Sequence, residues 1–191
     1  MIPASPFGSV AIIWSAMGGR SAQSHHPKIV HVLLSKPGLS AEHRVERLYP
    51  RASISSCVEI DDIIVGIIGM LQGEAVMFSL DGVDLNLCGE FQQRVLRATH
   101  RIPRGRVDTY RLIAERLGIA GGARAVGNAL ANNPFPLIVP CHRVIRSDRT
   151  PGGYWGGLHM KTALLEREGI CLDDGGRVQC APGFMMNCYK G

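Results

Sequence analysis

A chain of 191 residues that is 46% hydrophobic and 19% charged can bury one mid-sized core or two small ones, and it is too apolar to be disordered. Its net charge of +5 is unevenly placed: between Arg94 and Arg149 there are eleven arginines, no lysine and three acids. Such a segment is either a phosphate-attracting surface or a solvated arginine-rich face, and charge alone leaves both readings open.

No basic stretch precedes an apolar run at the start of the chain, so no secretory signal is expected. The longest apolar run, residues 63–71, is too short to span a bilayer. The expectation is an intracellular protein, cytoplasmic or nuclear, without a membrane partner. Six cysteines stand at 57, 88, 141, 171, 180 and 188, none in a CxxC pair, which argues against structural zinc. Spacing does not decide whether Cys171, Cys180 and Cys188 pair.

In chain order, residues 9–14 and 29–35 are short β-prone runs, residues 41–48 and 60–71 have helical composition, and residues 77–87 read as strand or loop. Residues 1–87 are therefore expected to form a small α/β domain. His25, His26 and His31 have no cysteine or acid at ligand spacing, so they are read as loop residues and no metal is expected.

From Gly89 the pattern becomes helical. Phe91, Val95, Ala98 and Ile102 make one apolar face, and Pro103 and Gly105 end it. Asp108 or Thr109 can cap a second helix bearing Leu112, Ile113 and Leu117, which stops at Gly118. A glycine turn at 121–122 leads to a third helix, residues 123–131. Ala123, Val126 and Leu130 form its expected buried side, while Arg124, Gly127 and Asn128 face outward. Two short helices joined by a glycine turn fit a helix-turn-helix. Residues 88–169 are thus expected to form a mainly helical domain, followed by a tail, 170–191, of unassigned role.

The apolar run 137–139 reads as a buried strand that delivers Cys141 beside His142. A thiol reacts as thiolate and needs a base or a positive field near neutral pH, so Cys141 is a candidate nucleophile; an inert core cysteine is the alternative. On a helical wheel over residues 158–168, Leu158, Leu164 and Leu165 mark one face, and Lys161 and Glu168 fall on it. Charges on an apolar stripe need partners unless they snorkel to water.

The stretch 91–168 carries Phe91-Gln92-Gln93-Arg94-Val95, Ile102-Pro103-x-Gly105, Thr109-Tyr110, Ala123-Arg124-Ala125-Val126-Gly127, Asn133-Pro134, Ile138-Val139-Pro140-Cys141-His142-Arg143-Val144-Ile145, Gly153-Tyr154-x-Gly156-Gly157-Leu158, Lys161 and Glu168. In this order and spacing it closely resembles the O6-alkylguanine-DNA alkyltransferases. The resemblance implies a cofactor-free, single-turnover repair protein that moves the alkyl group from O6-alkylguanine in double-stranded DNA to Cys141, with O4-alkylthymine left open as a further substrate. By the same resemblance His142 would deprotonate Cys141 through water, Glu168 would orient His142, and Asn133 would hold the turn before the nucleophile. Arg124 would fill the stack vacated by a flipped base, and Tyr110 would crowd the phosphate and bond the base. Gly127, Asn128 and Arg143 would face DNA, and Pro136, Val144, Tyr154 and Trp155 would line the pocket.

Some positions depart from the family. The N-terminal half matches loosely, through Ser5-Pro6-Phe7-Gly8. Arg146 and Arg149 occupy a loop that often holds small or neutral residues, Trp155 is large for its position, and the tail has no counterpart. A module that binds alkylated bases without repairing them would lack the cysteine, and a plain helix-turn-helix regulator would not need Pro-Cys-His-Arg. A cysteine protease is disfavoured, because an adjacent Cys-His does not set up a direct nucleophile–base hydrogen bond.

Overall fold

The computed structural model describes residues 2–5, 7–16 and 26–179; Pro6, His25, Cys180 and Cys188 lie outside them. The chain divides into two compact units, Met1–Gly89 with Pro134–Ile138, and Glu90–Asn133 with Val139–Gly191.

The first unit is an α/β layer. Strands β1 (Ile2–Ser5), β2 (Gly8–Ser15) and β3 (Lys28–Leu34) form an antiparallel sheet in that order. Helix α1 (Ala41–Leu48) starts at Ser40, whose hydroxyl accepts the His43 N–H, and it closes a core around Ala11, Leu33 and Ala41. Helix α2 (Val58–Gln72) ends at Gly73, where φ of 100° suits glycine. Residues 77–87 are two short 3₁₀ turns with a single parallel bridge from Ile29 to Val83. His31 Nδ1 pairs with the Tyr49 hydroxyl at 3.0 Å, and among the described residues no group of three His, Cys, Asp or Glu is placed to hold a metal.

The segment Pro134–Ile138 belongs to this unit, where the Val32 N–H donates to the Pro134 carbonyl at 2.8 Å. Residues 137–139 are buried, as expected, but they do not form a strand. Leu137 has a φ of 74°, a left-handed turn incompatible with extended backbone. Pro136, expected in the pocket, is buried in this same segment.

The second unit is mainly helical: α3 (Glu90–His100), β4 (Asp108–Thr109), α4 (Tyr110–Arg116), α5 (Ala123–Ala131), β5 (Val144–Ile145) and α6 (Leu158–Arg167). The buried stripe of α3 runs through Val95, Leu96 and Thr99, with Ile102 beyond its end; Phe91 and Ala98 are only half-buried. Thr109 rather than Asp108 caps α4, accepting the Leu112 N–H, while buried Asp108 is ion-paired with Arg116. Gln92 Nε2 donates to the carbonyls of Ala129 and Asn132 at the end of α5, and Arg94 donates to that of Leu117 at the end of α4. Side chains of α3 thus satisfy carbonyls left open where the two following helices stop. On α5 the buried residues are Val126, Ala129 and Leu130, with Ala123 half-buried.

Part of the tail belongs to this unit. Ile170 and Val178 are buried in one cluster with Val107, Ile145 and Leu165. No helix among the described residues is long and apolar enough to cross a membrane.

Candidate active site

The site is built around a pair of tight turns. Pro140, at φ −78° and ψ 62°, lets the Cys141 N–H reach back to the Val139 carbonyl at 2.8 Å, which is the geometry of an inverse γ-turn. Cys141–Arg143 then form a 3₁₀ turn before entering β5. The expected extended delivery of Cys141 is therefore corrected, because proline fixes φ and the γ-turn reverses the chain. Strand β5 pairs in parallel with β4, matching Asp108 to Val144 and Thr109 to Ile145. This short ladder carries Tyr110, the first residue of α4, towards the cysteine turn.

Cys141 is buried, 8% exposed. Asn133, just beyond α5, aims its amide at the turn, and Nδ2 lies 3.2 Å from the Val139 carbonyl and 3.3 Å from Cys141 Sγ. Burial pushes the thiol up, while the Asn133 hydrogen bond and the Lys161 charge pull the other way.

Behind the cysteine runs a fully buried polar chain. His142 Nε2 is 2.8 Å from Glu168 Oε1. Arg143 grips the same carboxylate, with Nε 2.9 Å from Oε2 and Nη2 2.8 Å from Oε1, and its Nη1 donates to the Ile102 carbonyl at 2.6 Å. The Gly105 N–H also donates to Oε2, at 3.3 Å. Burial opposes ionisation of Glu168, but the hydrogen bonds from His142 and Arg143 outweigh it and take the carboxyl down to about 2. Burial lowers His142 and keeps it neutral, against the pull of Glu168. A neutral imidazole beside a carboxylate donates from Nε2 and leaves Nδ1 as an acceptor. Among the described residues, His142 Nδ1 has no hydrogen-bond partner, nor has the buried Tyr154 hydroxyl. The two rings meet edge to face at 6.5 Å.

Lys161 is the residue whose role sequence reasoning left unassigned. Fully buried on α6, it donates to the Val144 carbonyl at 2.6 Å and stands 5.8 Å from the centre of the Tyr110 ring. Burial lowers it to about 8 despite the favourable Cys141. The sequence signal was present, since Lys161 and Glu168 both fall on the apolar stripe and both are buried. Leu158 departs from that stripe and is 56% exposed at the helix start.

A family model described as "6-O-methylguanine DNA methyltransferase, DNA binding domain" matches residues 90–170. The chain is 41% identical over 150 residues to the methylated-DNA–protein-cysteine methyltransferase of Methanothermobacter thermautotrophicus, covering 78% of this chain and 84% of that one. The chain belongs to the methylated-DNA–protein-cysteine methyltransferase family. Among solved structures, the O6-methylguanine methyltransferase of Mycobacterium tuberculosis is 30% identical with a TM-score of 0.57, over 84% of this chain and 93% of the other. The M. tuberculosis protein in complex with DNA is 42% identical with a TM-score of 0.53, over 56% and 66%.

Within this methyltransferase the residues expected at DNA separate into two groups. Arg124 and Asn128 are exposed on α5. Gly127, between them, turns towards Tyr110, and a Cβ there would stand 3.9 Å from the tyrosine ring. Arg143 does not belong with them. It is buried, and its guanidinium is committed to Glu168 and Ile102, because a carboxylate this deep needs a permanent positive partner. Of the expected pocket residues, Val144 is buried with its carbonyl taken by Lys161, Tyr154 sits against His142, and Trp155 is half-buried.

Proposed function

We propose that this methyltransferase repairs alkylated double-stranded DNA by accepting the alkyl group of O6-alkylguanine on Cys141, once per molecule. The observation that carries the assignment is the buried chain Arg143–Glu168–His142, whose histidine directly follows Cys141 in sequence, with Asn133 on the sulfur. A neutral, oriented histidine with a free acceptor nitrogen is what a buried thiol requires in order to lose its proton.

In this reading the thiol proton passes to His142 Nδ1 through a bridging water. Sulfur attacks the alkyl carbon in line, a C–S bond forms, and the C–O6 bond breaks with its electron pair leaving on the purine. The purine takes up one proton, so the products are guanine and a thioether. No cofactor enters. A thioether is not reversed by hydrolysis, which accounts for the single turnover.

Helices α4 and α5 act as a helix-turn-helix in this reading, with α5 in the minor groove. Residues around Gly127 carry little bulk, which permits close approach to the backbone. Arg124 extends from the exposed side and fills the gap left by the flipped base; flipping costs a few kcal/mol, least for a base that already pairs badly. Tyr110 stands between that helix and the cysteine turn and bonds the extruded base.

The test is incubation with a duplex carrying O6-[³H-methyl]guanine, followed by peptide mapping. Label is expected on the Cys141 peptide of the natural protein and on none from Cys141→Ser, which still binds DNA. Label on the Ser variant would reject Cys141 as the acceptor.

A further inference from the structure

The loop after β5 is closed by hydrogen bonds at both of its ends. The Arg146 N–H donates to the Thr150 carbonyl at 2.9 Å, the Arg149 N–H donates to the Arg146 carbonyl at 3.0 Å, and Asp148 Oδ1 accepts both the N–H and the hydroxyl of Thr150. Arg149 has a φ of 69°, a left-handed conformation an arginine keeps only when its surroundings enforce it. The loop's own hairpin bonds call for that conformation at Arg149, and the tail adds a contact, the Val178 N–H donating to the Arg149 carbonyl at 2.9 Å. Val178 is itself anchored in the cluster that contains Ile145, the residue before Arg146. The family match ends at residue 170, so this strap is a feature outside it.

Arg146 is exposed on this loop. Its Cγ and the Tyr110 hydroxyl approach the same residue, Gly152: a Cβ there would lie 3.4 Å from the first and 3.2 Å from the second. Three groups feel the charge of Arg146, namely Tyr110, Lys161 and Asp148. Buried Lys161 is a second cation within reach of that charge, and its ammonium is bonded to the carbonyls of Val144 and Gly153. An exposed guanidinium near a second, buried cation suits an anionic ligand, and its planar fork matches the oxygens of a phosphodiester.

We propose that Arg146 binds a backbone phosphate next to the nucleotide whose base enters the Cys141 site, on a hairpin loop tied to the Ile170–Val178 strap. The inference rests on the DNA-repair reading above. The structure brings together what this needs: a cation near Tyr110, a loop bonded within itself and to the tail, and a glycine that both side chains approach.

The experiment uses the full chain with Arg146→Ala and Arg146→Lys, each also combined with Cys141→Ser for equilibrium binding to a short duplex containing O6-methylguanine. Across a potassium chloride series, Arg146→Ala is expected to weaken binding about tenfold and to reduce the slope of log K against log salt by about one, the loss of one phosphate contact. Arg146→Lys should keep the slope. With Cys141 present, Arg146→Ala should slow repair of the duplex at least fivefold more than reaction with free O6-benzylguanine, which has no phosphate. An unchanged salt slope, or equal slowing on both substrates, would overturn the assignment of Arg146. Failure of the natural protein to take label from duplex DNA would instead overturn the repair reading itself.

Discussion

Arg143 and Glu168, 25 positions apart, meet as a bidentate ion pair in the interior, with Nε 2.9 Å from Oε2 and Nη2 2.8 Å from Oε1. The same carboxylate takes His142 at 2.8 Å. One residue of the Pro-Cys-His-Arg run therefore supplies the charge that keeps the partner of its neighbour ionised. This junction has consequences for stability, and the surrounding site has consequences for rate.

Acid should unfold the protein through this junction. Glu168 falls from the ordinary 4.5 to about 2 on folding, so its contribution is fully present above 4.5 and is lost as pH drops towards 2. His142 is also lowered, so stability declines as pH falls below 6.5, where the unfolded histidine takes a proton that the folded one refuses. The Glu168 part is on the order of 3 kcal/mol. Thermal melts from pH 7 to pH 2 should show this loss, and Glu168→Gln should remove the portion between pH 5 and 2. Leaving Arg143 buried without its carboxylate should also cost that variant about 3–5 kcal/mol at pH 7. Equal acid dependence in both proteins would show that the pair is not the source.

Asn133→Ala should slow alkylation of Cys141. The amide at 3.3 Å stabilises the thiolate more than the thiol, and a hydrogen bond to a charged group is worth about 1.5–3 kcal/mol. A rate loss of tenfold or more with free O6-benzylguanine at pH 7 is expected, with the pH–rate profile displaced upwards. A profile that stays in place while only the amplitude drops would mean that Asn133 holds the turn and does nothing for the sulfur.

Arg124→Ala should impair repair of duplex DNA more than reaction with the free base. The side chain is exposed on α5, and its proposed task is to fill a stack that a free base does not have. Comparing the two second-order rate constants decides the point. Equal losses would remove Arg124 from the role of finger.

Trp155→Gly reports on the alkyl group. Trp155 is half-buried beside Tyr154, whose ring is turned towards His142. With Tyr154 on the inner side, Trp155 is expected to face outward, so the variant should keep the benzyl-to-methyl rate ratio and lose thermal stability. A tenfold rise in that ratio, about 1.4 kcal/mol in barrier difference, would place Trp155 on the alkyl channel instead.

The helices were legible because each combines local periodicity with a local stop. Helix α1 has the bounds its composition indicated, Ala41–Leu48, and α5 runs Ala123–Ala131 after its glycine turn. The faces were read less well. On α3 the stripe is rotated by one residue, to Leu96 and Thr99, because packing partners from distant parts of the chain choose which side is covered. Strand β1 was missed, since four residues carry too little pattern to be distinguished from loop.

At the site, Cys141, His142 and Glu168 could be named as candidates because their order and spacing resemble those of a known family, and Glu168 was doubly marked by its place on the apolar stripe of α6. What the chain could not reveal is where Arg143 points. The same arginine can neutralise a phosphate outside or a carboxylate inside, and the choice depends on a glutamate 25 residues away and a carbonyl 41 residues back at Ile102. Nor could it reveal that residues 137–139 turn instead of extending, because Leu137 adopts a left-handed φ that no local residue preference announces. Sequence thus determined the helical frame, set by short-range periodicity and stops, and named the candidate reactive residues. Tertiary structure alone decided the partners of Lys161, Arg143 and Val178, because burying a charge or an N–H is tolerable only where distant parts of the chain supply the matching group.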